Sequence, residues 1–76
     1  MITHINGKLV ELNPAYAVIE CNGVGYMLNI SLNTYSKIGE SESCKLYTHL
    51  AVKEDSHTLY GFYEVLERKI FRMLIS

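Results

Sequence analysis

Tyr16-Ala17-Val18-Ile19-Glu20-Cys21-Asn22-Gly23-Val24-Gly25-Tyr26-Met27-Leu28-Asn29-Ile30 is two strand-like runs folded about one dipeptide. Tyr16 to Cys21 is rich in β-branched and aromatic residues, and Asn22-Gly23 is a strong short-range hairpin signal. Beyond it Tyr26, Leu28 and Ile30 alternate with Met27 and Asn29, the period of a strand with one face buried.

Working outward, the same punctuation recurs. Toward the N-terminus, Ile2 to Leu12 is a long apolar run interrupted at Gly7, where a glycine inside a strand predicts a bend or bulge. Asn13-Pro14 is a turn between the two runs. Toward the C-terminus, Leu32 to Ile38 is polar-interleaved and predicts a short helical turn ending at Gly39. Cys44, Leu46, Leu50 and Val52 then share one strand face with Thr48. A loop, Lys53-Glu54-Asp55-Ser56-His57, separates this strand from the last one, Thr58 to Tyr63. Five short strands with turns at this spacing predict a small barrel or sandwich, and a barrel leaves no sheet edge exposed. A long, bent first strand in a five-stranded barrel points to an all-β OB-fold over residues 1–63.

From Glu64 the period changes. Leu66, Ile70, Phe71 and Leu74 form one apolar helix face over residues 64–76. Glu64 and Glu67 stand near its start and Arg68, Lys69 and Arg72 further on, an order that suits the helix dipole. No glycine, asparagine or proline stops this helix before Ser76, so it reads as a helix cut inside a longer protein. Its apolar face is expected to leave Leu66, Ile70 and Phe71 partly uncovered.

Seventy-six residues allow one domain, which buries only roughly 60% of the surface its unfolded chain exposes. Domains this small gain support from disulfides, metals or association. The two cysteines, Cys21 and Cys44, lie in apolar strand-like runs and read as free thiols in a reducing, cytoplasmic compartment. The first residues lack a signal peptide's pattern, and no apolar run reaches membrane-spanning length. Association is therefore the expected support.

The charges are unevenly placed. Residues 1–63 hold four lysines, no arginine and six acids, a net −2, whereas residues 64–76 carry a net +1. A stand-alone nucleic-acid binder draws its affinity from neutralised phosphates and shows a basic footprint. The first 63 residues lack one. His4, His49 and His57 show no metal-ligand spacing, and no serine or cysteine has the setting of a nucleophile. Asn22-Gly23-Val24-Gly25 joins two strands instead of opening a helix, so it is not a phosphate cradle. Glu54-Asp55 is a solvated turn by composition alone, and its exposed tip offers no pocket for acid–base catalysis.

In order along the chain stand Asn22-Gly23-Val24-Gly25-Tyr26, Leu46-Tyr47-Thr48-His49-Leu50, Val52-Lys53-Glu54-Asp55, Leu59-Tyr60-Gly61-Phe62 and Glu67-Arg68-Lys69-Ile70-Phe71-Arg72. Together they resemble the N-terminal part of the RuvA family, the Holliday-junction-binding subunits of the bacterial branch-migration complex. The likeness covers essentially the whole chain. It implies a non-catalytic, cofactor-free DNA-binding module of recombination and repair, assembled as a four-fold homotetramer on the open junction. It further implies an acidic pin at Glu54 and Asp55, flanked by Lys53, that helps separate strands at the crossover. The main grip on phosphate belongs to a second, helix-hairpin-helix domain, of which residues 64–76 would be the opening helix. A third domain contacts the ATP-driven motor RuvB, and RuvC resolvase is a further expected partner. Two positions depart from the family's habit. Thr3 stands where glycine is common, and Lys53 where arginine is common, which keeps the charge but gives up bidentate binding of phosphate.

Two other classes give different expectations. A generic single-strand-binding OB domain would expose Tyr47 and Tyr60 beside basic residues, because base stacking works with a positive channel. A small enzyme or metal protein would need a pocket where histidine, cysteine and acidic side chains converge.

Overall fold

The computed structural model describes residues 2–76. β2 (Tyr16–Cys21) and β3 (Val24–Asn29) pair antiparallel, from Tyr16 with Asn29 to Cys21 with Val24. Asn22 and Gly23 join them with φ of 50° and 81°, the left-handed pair whose twist matches that of the flanking strands.

β1 (His4–Leu12) serves two neighbours. Residues 4–8 pair with β4 (Ser43–Lys53), and residues 8–12 pair with β2. Gly7 sits where the strand changes partner. A Cβ there would lie 2.3 Å from the Glu20 carbonyl oxygen and 2.8 Å from Cys21 Sγ. The glycine thus permits a close approach and is not itself a bulge. The bulge falls at Val10, between the Leu9–Ile19 and Glu11–Val18 pairs.

β5 (Ser56–Phe62) pairs antiparallel with β4 and parallel with β3 through Asn29 and Tyr60. The order β1-β2-β3-β5-β4 closes into a barrel, with α1 (Leu32–Ile38) between β3 and β4. This is the expected five-stranded OB-fold. Ser31 caps α1 by accepting from the Thr34 N–H at 3.1 Å, and Gly39, at φ 57°, ends it where expected. Ile38 is thereby delivered to the core, where it packs with Ile5, Ile19, Leu28 and Leu46. Each such side chain contributes about 1.5–3 kcal/mol by leaving water.

α2 (Val65–Ile75) follows. It does not dock through the apolar face seen in the sequence. Leu66, Ile70 and Leu74 are exposed, at 63%, 49% and 80%. Phe71 leaves that group and meets the rings of His49, Tyr60 and Phe62 at 5.0–5.4 Å. Around it the helix is held by polar side chains. Glu67 accepts from the hydroxyls of Ser31 and Thr34 and from Asn33 Nδ2. Arg68 donates to the carbonyl oxygens of Thr3 (2.8 Å) and Thr48 (3.3 Å). Arg72 donates to His49 Nδ1 (3.2 Å) and to the Thr48 carbonyl (3.4 Å). Two fully buried polar residues, Thr34 and Thr48, lie under these contacts. Thr34 Oγ1 also accepts the Tyr63 N–H, and Thr48 Oγ1 donates to the Ile2 carbonyl.

Candidate nucleic-acid interface

The face that Cys44, Leu46, Thr48, Leu50 and Val52 share is one face only geometrically. Leu46 and Thr48 are fully buried, whereas Leu50 is 37% and Val52 61% exposed. The cause is pairing. β1 covers β4 only up to Tyr47, so beyond Thr48 the strand has β5 as its sole ladder partner. Beyond the Leu50–Leu59 pair, whose Leu59 still packs on the core, residues 51–58 form a two-stranded arm that leaves the barrel. From Thr48, the last β4 residue bonded on the β1 side, to Lys53 the strand runs about 17 Å at ~3.4 Å per residue.

Glu54 and Asp55 are the turn at its end. The ladder continues to the Lys53–Ser56 pair, so the expected five-residue loop is a two-residue tip. Lys53, Glu54, Asp55, Ser56 and His57 are all exposed. Neither acidic residue adopts positive φ, unlike Asn22 and Gly23 at the other tight hairpin. Among the described residues the ion pair within 4.0 Å is Lys37 with Glu64, at 3.4 Å. The Glu54 and Asp55 carboxylates are therefore not neutralised by Lys53 beside them. Two free negative charges stand at the end of a projecting arm.

The rings of Tyr47 and Tyr60 are not a free stacking platform. Lys45 Nζ lies 5.1 Å and the Arg68 guanidinium 5.5 Å from the Tyr47 ring centroid. Tyr60 packs on Phe71 at 5.0 Å. Both tyrosines are half-buried. No group of three or more histidine, cysteine or acidic side chains converges among the described residues. Cys21 and Cys44 are free thiols, and burial pushes the Cys44 thiol above its ordinary range. No helix among the described residues is long and apolar enough to cross a membrane.

Glu67, Arg68 and Arg72 are the structurally important residues that sequence reasoning read only as dipole complements. Their partners lie 20 to 65 residues away. The available signal was the wheel itself, which puts Glu67, Phe71, Arg68 and Arg72 on adjoining positions of one side.

The model of the RuvA N-terminal domain matches residues 1–61. The chain is 66% identical over all its residues to the Holliday junction branch migration complex subunit RuvA of Christiangramia forsetii, covering 39% of that protein. It is 59% identical to the subunit of the same name from Flavobacterium psychrophilum and 58% identical to that from Bacteroides thetaiotaomicron, again over the full chain, covering 39% and 38% of them. The chain thus spans about two fifths of the length of the curated relatives it matches.

Proposed function

The chain belongs to the RuvA N-terminal domain family, and from that footing we propose that it forms the barrel end of a Holliday-junction-binding subunit acting in branch migration. In this reading it is a non-catalytic part of a cytoplasmic DNA-processing machine. ATP hydrolysis belongs to a RuvB motor held by a later domain, and RuvC resolvase acts on the same junction. Residues 64–76 open the second, helix-hairpin-helix domain, whose remainder covers the exposed face of Leu66, Ile70 and Leu74.

One observation carries the proposal: two unpaired carboxylates at the tip of an arm that projects from the barrel. In a four-fold assembly with its tips at the axis, four copies of Glu54 and Asp55 gather eight carboxylates where the strands cross. Two like charges at about 4 Å in an effective dielectric of ~20 repel by roughly 4 kcal/mol. Screening shortens the reach of this repulsion to about 8–10 Å. Phosphates are pushed from the centre while other parts of the assembly hold the arms. The tip steers strands, and Lys53, exposed at its shoulder, meets a passing phosphate.

The test is a branch-migration assay on the full-length protein with Glu54 and Asp55 both replaced, once by Ala and once by Lys. Altered strand separation and weaker preference for junction over duplex are expected, more so for Lys. Wild-type behaviour in both variants would return the pair to an ordinary turn. Residues 1–76 alone are expected to bind junctions weakly, given the acidic balance of the barrel. Tight, junction-selective binding by this piece in a gel shift would contradict that.

A further inference from the structure

The cations of this chain are segregated. Glu64, at the N-cap of α2, pairs with Lys37, and Glu67 within the helix is consumed by Ser31, Asn33 and Thr34, so both acids face α1. Arg68 and Arg72 reach β4 through Thr48 and His49, and with Lys69 they line an open groove along α2 together with Val65, Met73 and Ser76. Lys45 approaches from β4 itself, and its ammonium and the Arg68 guanidinium converge on the ring of Tyr47. None of these four cations has a carboxylate within 4.0 Å among the described residues. In a chain of net charge −1, three unneutralised cations lining one groove, with a fourth joined to them through the Tyr47 ring, are a local excess.

Two of them are also held in place. A guanidinium has five N–H donors in a fixed fork. Arg68 uses one nitrogen on the Thr3 and Thr48 carbonyls, and Arg72 uses two, on His49 and the Thr48 carbonyl. Each keeps donors free, and its orientation is fixed before any ligand arrives, which lowers the entropic cost of binding. Arg68 and Arg72 are one helical turn apart, about 6 Å along the axis. That spans about two phosphates of a strand, at ~3.4 Å of duplex axis each.

We propose that Lys45, Arg68, Lys69 and Arg72 form a phosphate-binding strip for duplex DNA, separate from the acidic tip. The strip rests on the junction reading above and adds to it an attractive surface on this part of the protein. Lys45 is eight residues from Lys53 along β4, so that end of the strip lies about 27 Å from the tip at ~3.4 Å per residue. The phosphates it meets therefore fall within about eight base pairs of the crossover, at ~3.4 Å per pair.

The experiment measures binding of the full-length protein to an immobile four-way junction and to a linear duplex across a salt series. Lys45→Ala and Lys69→Ala are compared with wild type, singly and together, since neither lysine helps dock α2. Each single change is expected to weaken binding by a similar factor on both DNAs and to flatten the log–log salt slope by about 0.9 for each phosphate no longer neutralised. Lys69→Arg keeps the wild-type slope. Lys37→Ala removes the same charge on the α1 side and leaves the slope unchanged. A double variant with wild-type affinity and slope overturns the strip, and so does an equal weakening in Lys37→Ala, which would make the effect one of net charge. A wild-type protein that does not prefer the junction overturns the junction reading instead, while the duplex slopes still judge the strip.

Discussion

The near and far halves of β4 are one strand in two settings. In the near half, Leu46 and Thr48 are sealed by β1, β5 and the core; in the far half, Leu50 and Val52 repeat the alternation with progressively less over them. The difference shows that alternation marks a face and does not supply its cover. The barrel half is held by burial, and the arm half only by its ladder with β5. An arm that contributes little to stability is free to carry two unpaired carboxylates at its end.

The largest break in this comparison is expected from truncating both halves. Leu46→Ala should cost about 2–5 kcal/mol, the usual range for a buried leucine. Val52→Ala should stay within about 0.5 kcal/mol. Denaturant midpoints decide this, and equal losses would mean the arm is covered in solution. Next comes Glu67→Ala, which leaves the buried Thr34 hydroxyl without its acceptor and should cost about 1–3 kcal/mol. Hydrogen exchange should then rise along α2 before it rises in β1–β3. Destabilisation spread evenly over the barrel would show that α2 is no separate attachment.

Smaller again is Glu54→Ala with Asp55→Ala, expected to leave the unfolding midpoint within about 0.5 kcal/mol while changing strand separation. A large drop in stability would mean the tip supports the barrel. The smallest effect is that of pH on Cys44. Its thiol is raised in the folded state by burial, so its contribution to stability is complete below the ordinary thiol range and disappears as pH rises through the folded value. Cys44→Ser should flatten stability above that range and leave it unchanged in pH dependence near neutrality.

The barrel was legible because its signals are local. Asn22-Gly23, the alternation of Tyr26 to Ile30 and the Gly39 stop each act within a few residues, and all three stand where the chain predicts them. The tip was legible as an exposed turn, though its two-residue length was not, since Lys53, Ser56 and His57 carry no mark of ladder membership. Gly7 misled because a glycine in a strand serves a bulge and a close approach equally well. Val10, where the register does shift, looks like any strand residue. α2 was legible as a helix with a partly uncovered apolar face, but its docking was not. Its apolar stripe shows which face needs a cover, while its docking uses Glu67, Arg68 and Arg72, whose partners are reached only once the barrel has closed.

That closure has a weak place. β3 and β5 meet in parallel through a single residue pair, Asn29 with Tyr60, supported by Asn29 Nδ2 donating to the Leu59 carbonyl at 3.5 Å. The meander β1–β2–β3 and the hairpin β4–β5 can each form from neighbours in sequence, and the long-range β1–β4 ladder joins them late, as distant pairings do. The cylinder is therefore two ribbons zipped firmly along one side and latched at one point on the other, and its breathing motions should open at that latch.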